Sequence, residues 1–298
     1  KLKLGVMINA SELLINDNLE ANINSLFPEN SKNSKISLVR IACHYDEVKK
    51  ILKASELLSD KGYLVALNIM MISERSRQEL DEIGSLVSSF PVDILYAADS
   101  LGRLEPSDIS EIFDSLRRNF QGELGIHTHD NLGLALSNSL KAMKEGVTWI
   151  DSTITGMGRG PGNCSTEQLL IELSSIDKNK SLSPILFLIE NYFNKLKRKY
   201  KWGTNSFYYL SGKYGIHPTY VQTLLSDNKY SIDDTLAVIN NLRNKKAKTF
   251  KSNILEEGFS FYQSRSLGNW KPTTILQGKE VLIIATGPSS KKYSSYIS

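Results

Sequence analysis

Apolar runs recur along the first half of the chain, and stretches with helical periodicity separate them. The starts of these runs lie 33, 27, 29, 31 and 25 residues apart. This rhythm is typical of a repeated strand–helix unit. The predicted strands cover residues 3–9, 36–43, 63–72, 92–98, 123–129 and 148–154.

The apolar runs are nearly continuous rather than alternating, as in Val92–Ala98. Strands that are buried on both faces show this pattern, so the sequence predicts a parallel sheet covered by helices. The helical stretches carry apolar residues at helical spacing, such as Ile109, Ile112, Phe113 and Leu116. Six units are visible. A closed barrel needs eight and an open doubly wound sheet could use six, so periodicity alone does not decide between them.

After about residue 176 the strand–helix rhythm stops, and helical signals follow at 183–200, 218–226 and 231–245. A strand is predicted at 280–285, followed by a turn of small residues at 286–290 that could open a nucleotide-binding unit. We therefore expect three parts. They are a barrel-type catalytic domain (1–176), a helical extension (177–272), and a linker or truncated start of a further nucleotide-binding-like domain (273–298).

Composition narrows the class of protein. The 298 residues are 41% apolar and 23% charged, which is enough for a proper core, and the net charge of +4 is mild. No apolar stretch reaches membrane-spanning length, and no signal peptide is evident. No nucleic-acid reader motif accompanies the two lysine-rich runs at 195–201 and 244–251. The two cysteines, Cys43 and Cys164, lie far apart in the sequence. These features favour a cytoplasmic protein that binds neither nucleic acid nor membrane.

Two histidines close the fifth predicted strand, in the segment 125–131. Residues i and i+2 of a strand point to the same face, so His127 and His129 are aimed at one point. This geometry suits a divalent metal ion. The alternative is two polar residues at a strand end without a ligand, and the spacing and context favour the metal site.

Other polar residues also lie within or just after predicted strands, and the carboxyl ends of parallel barrel strands share one rim. They include Arg40, His44, Asn68, Asp99 and Asp151. The loop 156–163 holds four glycines, which would allow phosphate binding or simply form a tight turn. Asn163 precedes a predicted helix, where its amide could cap that helix or reach a metal.

Several segments together resemble the DRE-TIM metallolyases, and most closely the 4-hydroxy-2-oxovalerate aldolases, among the HMG-CoA lyase-like proteins. They occur in the family's order across residues 3–175, and the histidine pair with the glycine-rich loop is the most specific combination. The matching segments are 39–44, 68–71, 98–102, 125–132 and 151–163, with a less specific match at 200–205.

The resemblance implies a TIM (β/α)8 barrel and a Mn²⁺ or Mg²⁺ ion held by His127, His129 and Asn163. It implies an aldehyde-lyase that makes or breaks a carbon–carbon bond through a metal-stabilised enolate of the pyruvate type. Its partners would be a 2-oxo acid and an aldehyde. Arg40 and Asn68 are the candidate substrate-binding residues. His44 and Asp99 are the candidate catalytic residues, predicted to position substrate or support the ligands rather than to act as the base.

One departure from the family pattern is large. The family's first strand carries an Arg-Asp-Gly motif with a metal-binding Asp and a catalytic Arg, and this sequence has no such segment. The first run, residues 2–9, resembles the family's third strand. We therefore expect a barrel that lacks its first two strand–helix units and carries an appended C-terminal helical region. If those units are truly missing, the metal loses an anionic ligand and activity is doubtful.

Three alternatives stay open at this point. An acyl-CoA Claisen-type lyase or synthase would share the metal site. A non-catalytic barrel scaffold in a multidomain protein would explain the missing motif, although it would not require metal ligands. A nucleotide-sugar or phosphate-transfer enzyme would place the chemistry in residues 280–290. Self-association as a homodimer and fusion to a further domain are also expected.

Overall fold

The first 150 residues form an α/β structure around one parallel sheet. The computed structural model describes residues 2–174, 181–227, 230–251, 254 and 277–279. The six strands pair in chain order, and every neighbouring pair is parallel. They are β1 (Leu4–Asn9), β2 (Ile36–Cys43), β3 (Leu64–Ile69), β4 (Ile94–Asp99), β5 (Glu123–Thr128) and β6 (Trp149–Ile150). All six predicted strands and their parallel arrangement are thus confirmed.

Helices connect the strands and cover the sheet. The connecting helices are α1 (Ala10–Leu13), α2 (Leu19–Leu26), α3 (Val48–Asp60), α4 (Arg77–Val87), α5 (Pro106–Asn119) and α6 (Ala135–Lys144), and α7 (Thr166–Ser174) follows β6. Short 3₁₀ turns lie at Ile15–Asp17, Tyr45–Glu47, Ile72–Glu74 and Ile154–Gly156. Apolar residues of α3, α4 and α5 pack against the outer face of the sheet and form the main core with it. Every residue of β4 is buried, as expected for a strand covered on both faces.

The sheet is curled, with the helices on its convex side. Arg40 of β2 forms an ion pair with Asp151, which follows β6, although three strands separate β2 from β6 in the sheet order. A flat sheet with strands about 4.8 Å apart would hold these two residues too far apart for such a contact. The strands therefore form part of a barrel wall, whose concave face carries the polar residues described below.

A C-terminal helical region, residues 183–251, follows the sheet. It contains α8 (Ser183–Leu188), a π-helical turn (Ile189–Phe193), α9 (Asn194–Tyr200), α10 (Ser206–Tyr214), α11 (Pro218–Ser226) and α12 (Ile232–Asn244). The helical signals at 183–200, 218–226 and 231–245 are confirmed, and α10 was not predicted. Helices α10, α11 and α12 share a small core of their own.

The helical region packs against the loops at the carboxyl ends of the strands. Trp202 donates from Nε1 to the carbonyl oxygen of Thr155 at 3.0 Å. Thr204 donates to the Asn131 carbonyl at 2.9 Å, and the Asn131 amide donates to Ser211 at 3.0 Å. The region therefore contributes residues to the rim of the curled sheet.

The chain divides into two compact units, Lys1–Tyr262 and Gln263–Ser298. The predicted strand at 280–285 and the turn at 286–290 lie outside the described residues. Across the residues that are described, no helix combines the length and apolar character needed to cross a bilayer.

Candidate active site

A cavity of about 570 Å³ opens at the carboxyl ends of the strands. We call it the site cavity. Its polar lining residues include Arg40, His44, Asn68, His127, His129, Asp151, Arg159 and His217. They come from β2, β3 and β5, from the segments after β6 and from the helical region, so the cavity collects residues that are far apart in the sequence.

The two histidines of the 125–131 segment lie next to each other in this cavity. His127 is in β5 and pairs in register with Ala98 of β4, and His129 follows the end of the strand. Their ring centroids are 5.0 Å apart and the rings are inclined at 70°. The structure thus brings the two imidazoles together, as the strand periodicity predicts.

A carboxylate fixes the orientation of His127. The Nδ1 atom of His127 lies 2.8 Å from Oδ2 of Asp151. Because an ionised carboxylate only accepts hydrogen bonds, this contact places a proton on Nδ1 and leaves Nε2 with a free lone pair when the ring is neutral. A carboxylate behind one imidazole nitrogen is typical of histidines that bind a metal through the other nitrogen.

His129 is neutral at physiological pH. Burial lowers the pKa of His129 to about 3, and the nearby charge of Arg159 contributes to the shift. Its Nδ1 atom is buried and has no hydrogen-bond partner in the described part of the chain. A neutral imidazole is the form that can bind a metal.

Arg40 of β2 contacts residues of β3, of β4 and of the segment after β6 across the concave face. It donates from Nη1 to Oδ2 of Asp151 at 2.6 Å and from Nη2 to Oδ1 of Asn68 at 2.5 Å. Its guanidinium lies over the ring of Tyr96, 3.6 Å from the centroid. Burial alone would raise the pKa of Asp151, but the hydrogen bond from His127 and the charge of Arg40 hold that pKa below its ordinary value.

The two candidate catalytic residues occupy different environments. His44 is exposed and lines the site cavity. Asp99 is fully buried, and its carboxylate accepts from the backbone N–H groups of Arg103 and Leu104 at 3.1 and 3.2 Å. Burial raises the pKa of Asp99 to about 6, although these two hydrogen bonds oppose the shift. Asp99 therefore holds the turn after β4, and its catalytic role stays a prediction.

The family of the chain follows from comparison with known proteins. The HMGL-like family model matches residues 3–185, which is more than half of the chain. The chain belongs to the HMGL-like family. This confirms the superfamily inferred from the sequence segments, and the curated relatives below confirm the closest family.

Curated relatives of this HMGL-like chain include proteins that are named as aldolases. A 4-hydroxy-2-oxovalerate aldolase from Geobacillus thermodenitrificans is 37% identical over 146 residues, 47% of the chain and 41% of the relative. A 4-hydroxy-2-oxovalerate aldolase 2 from Rhodococcus jostii is 30% identical over 166 residues, 55% of the chain and 48% of the relative. The chain thus spans less than half the length of these relatives.

Solved structures support the fold of the HMGL-like chain. The N-terminal domain of a candidate aldolase from Bacteroides vulgatus has a TM-score of 0.64 and 28% identity, covering 78% of this chain and 74% of that one. The carboxyl transferase domain of Rhizobium etli pyruvate carboxylase has a TM-score of 0.62 and covers 87% of this chain and 47% of that one. At 14% identity, this second similarity shows the fold alone.

Asn163, the third predicted metal ligand, lies in a different cavity. Its side-chain nitrogen donates to the Met157 carbonyl at 3.1 Å, and its backbone forms an antiparallel bridge with His129. The side chain lines a polar cavity of about 780 Å³ together with residues such as Asp130 and Lys197. Within the described ranges, no group of three His, Cys, Asp or Glu side chains is arranged to hold a metal. Ligation by Asn163 stays a prediction.

Three ionisable residues of the site cavity were not predicted as site residues: Asp151, Arg159 and His217. Asp151 was recognised only as a polar residue at the rim. Arg159 belongs to the glycine-rich loop, whose sequence drew attention to backbone amides rather than to this side chain. His217 precedes Pro218 at the start of α11, and a histidine at a helix start is the only sequence signal for it.

Proposed function

We propose that this HMGL-like chain is the catalytic region of a divalent-metal-dependent aldolase or lyase, which makes or breaks a carbon–carbon bond in a 2-oxo acid of the pyruvate type. The observation that carries the proposal is the pair His127 and His129 in one cavity, with Asp151 bonded to the first ring. The six strand–helix units would be part of an eight-unit TIM barrel. The proposed partners are a 2-oxo acid and an aldehyde, as the names of the relatives suggest.

The residues present fit two ligand positions of a Mn²⁺ or Mg²⁺ site. His127 offers Nε2 because Nδ1 is engaged by Asp151. His129 is neutral, and its buried Nδ1 lacks a partner among the described residues. Two neutral imidazoles would leave the charge of the ion uncompensated, which keeps it a strong Lewis acid. When bound, such an ion would stabilise negative charge that develops on the oxygens of a 2-oxo acid.

The chain's own residues prepare this site in three ways. Asp151 fixes the tautomer and orientation of His127 through the 2.8 Å contact. Arg40 neutralises Asp151 and donates a hydrogen bond to Asn68. The two candidate substrate-binding residues, Arg40 and Asn68, are thus in direct contact in the cavity. His44 is accessible at the same cavity and is placed to contact a bound molecule. We assign no general base.

Metal binding by the purified protein tests this proposal. Electron paramagnetic resonance titration with Mn²⁺ should show one tight site in the wild-type chain, and His127→Ala and His129→Ala should each abolish it. Glu111→Gln, which changes an exposed carboxylate on α5, is the matched control and should retain the site. Cleavage of 4-hydroxy-2-oxo acids, followed as released pyruvate, should depend on the same two histidines.

Three results of these experiments would decide the proposal or the role of Asn163. Tight Mn²⁺ binding that survives both histidine substitutions would place the ion elsewhere and end the proposal. Aldol cleavage that persists at full rate in His127→Ala would also contradict it. Asn163→Ala provides a further arm, because loss of Mn²⁺ in that variant would support ligation by Asn163 and retention would exclude it.

A further inference from the structure

The site cavity contains one cation that the proposed metal chemistry does not use. Arg40 is paired with Asp151, so its charge is largely compensated. Arg159 lines the same cavity and is solvent-accessible. In the described part of the chain, no carboxylate lies within ion-pair distance of Arg159. An accessible guanidinium without a counter-ion, inside a cavity, is a ready partner for an anionic group of a ligand.

His217 adds a neutral hydrogen-bond donor to this cavity. Its Nδ1 accepts from the backbone N–H of Thr219 at 3.4 Å, as the side-chain cap of α11. The proton of the neutral ring is therefore on Nε2. Burial lowers the pKa of His217 to about 4, with a contribution from the charge of Arg159, so the ring stays neutral. His217 thus presents an N–H group without adding a second charge.

The helical region holds His217 firmly. Its backbone N–H donates to the Ala247 carbonyl at 3.0 Å, and Pro218 fixes the first turn of α11. The ring centroid lies 6.4 Å from that of Phe250. Arg159, by contrast, comes from the glycine-rich loop after β6. The two residues reach the cavity from different parts of the fold, and both lie near His129.

We propose that Arg159 and His217 together form the carboxylate-recognition side of the site cavity and select anionic substrates over uncharged ones. The guanidinium supplies a charged, two-pronged donor, and the His217 Nε2–H supplies a single neutral donor. With Arg40 already occupied by Asp151 and Asn68, this pair is the part of the cavity left to bind a ligand carboxylate. The choice of a 2-oxo acid as the ligand rests on the proposed function.

Binding of pyruvate and of its uncharged amide, pyruvamide, tests the pair. Dissociation constants are measured by ligand-observed NMR on the full 298-residue chain, with and without Mn²⁺. The wild-type chain should bind pyruvate about tenfold more tightly than pyruvamide or better, as charge-assisted hydrogen bonds predict. Arg159→Met should weaken pyruvate binding by about tenfold and leave pyruvamide unchanged, which removes the preference for the anion.

Three further variants and one control refine the test. Arg159→Lys should recover part of the preference, because it keeps the charge but loses the two-pronged geometry. His217→Ala should weaken pyruvate binding by a few fold, and His217→Gln, which can still donate, should weaken it less. Arg198→Met is the matched control, since Arg198 is an exposed cation of α9 outside the cavity lining, and it should change neither constant.

The outcomes distinguish this inference from the proposed function. Absence of Mn²⁺ binding to the wild-type chain would end the proposed function. The ratio of pyruvate to pyruvamide affinity in the metal-free chain would still test whether Arg159 and His217 recognise a carboxylate. Equal weakening of both ligands by Arg159→Met would overturn the inference. An unchanged pyruvate affinity in Arg159→Met, or no pyruvate binding by the wild-type chain in either state, would overturn it as well.

Discussion

Arg40 and Asp151 form an ion pair across the concave face of the curled sheet, with Nη1 and Oδ2 2.6 Å apart. Their side chains are 12% and 26% exposed, so the pair is largely withdrawn from water. The two residues belong to β2 and to the segment after β6. The contact therefore ties distant parts of the sheet together and also anchors the carboxylate that orients His127.

We expect Arg40→Met to lower the free energy of unfolding by about 3 kcal/mol, because it leaves the Asp151 charge buried without its partner. Asp151→Asn should have a similar effect for the converse reason. The double variant should be clearly more stable than the sum of the two losses predicts, since neither charge is then left alone. Urea unfolding measures all three. Arg118→Met, whose pair with Asp81 is exposed, should cost less than about 1 kcal/mol.

Asp151 should also matter for metal affinity, independently of its effect on stability. Asp151→Asn removes the carboxylate behind His127 Nδ1, and we expect Mn²⁺ affinity to fall about 10- to 100-fold. Arg40→Met keeps the contact between His127 and Asp151, so it should change Mn²⁺ affinity far less although it destabilises the fold. Calorimetric titration of the two variants compares them. Equal losses would show that the affinity follows the stability of the pair rather than the orientation of the ring.

The strand positions were predictable because apolar runs reveal buried strands directly. The exceptions have local causes. Strand β3 was predicted over 63–72 and ends at Ile69, since Met71 adopts a left-handed backbone with φ of 56°. The sixth strand was predicted over 148–154 and spans only Trp149–Ile150. Beyond it, Thr153 bonds to the Cys164 carbonyl and pairs with Ser165 instead of with β5.

Helix α10 and part of the site could not be predicted, because both depend on tertiary contacts. Helix α10 is rich in aromatic residues, serine and glycine, which are weak helix formers. Its start is fixed by Asn205, whose side chain accepts from two backbone N–H groups. Similarly, the partnership of Asp151 with Arg40 spans 111 residues, and no local pattern encodes it. Two histidines two residues apart at the end of one strand need only local geometry, so that pair was predictable.

Asp99 provides a prediction for the pH dependence of stability. Burial raises the pKa of Asp99 from 3.8 to about 6 in the folded chain. Between these two values the folded state keeps a proton that the unfolded state has lost, so the contribution of Asp99 to stability is full below pH 3.8 and falls as the pH rises to about 6.

The free energy of unfolding of the wild type minus that of Asp99→Asn should therefore decrease as the pH rises from 4 to 6. Its slope should be at most about 1.4 kcal/mol per pH unit, because one proton is involved. Urea unfolding at pH 4, 5, 6 and 7 measures this difference. Asp114→Asn, an exposed position on α5, should show no comparable slope. A constant difference across the range would mean that Asp99 does not titrate there.

The close approach of α10 to the rim leads to the last prediction. A Cβ atom at Gly212 would lie 2.9 Å from Cβ of Asn131 and 3.0 Å from the Gly102 carbonyl oxygen. Gly212→Val should therefore push α10 away from the strand ends and cost about 1 to 3 kcal/mol. Lys213→Val, on the exposed side of the same helix, is the control and should cost much less.

The consequences of Gly212→Val should differ between the two halves of the site. His217 follows α10 by only three residues, so its displacement should weaken pyruvate binding. The pair His127 and His129 is carried by β5 and its end, so Mn²⁺ binding should persist. Measuring both ligands on the same variant separates the two effects. If Gly212→Val abolished Mn²⁺ binding together with pyruvate binding while the chain stayed folded, the imidazole pair would depend on the helical region, and the division of roles between sheet and helices would be wrong.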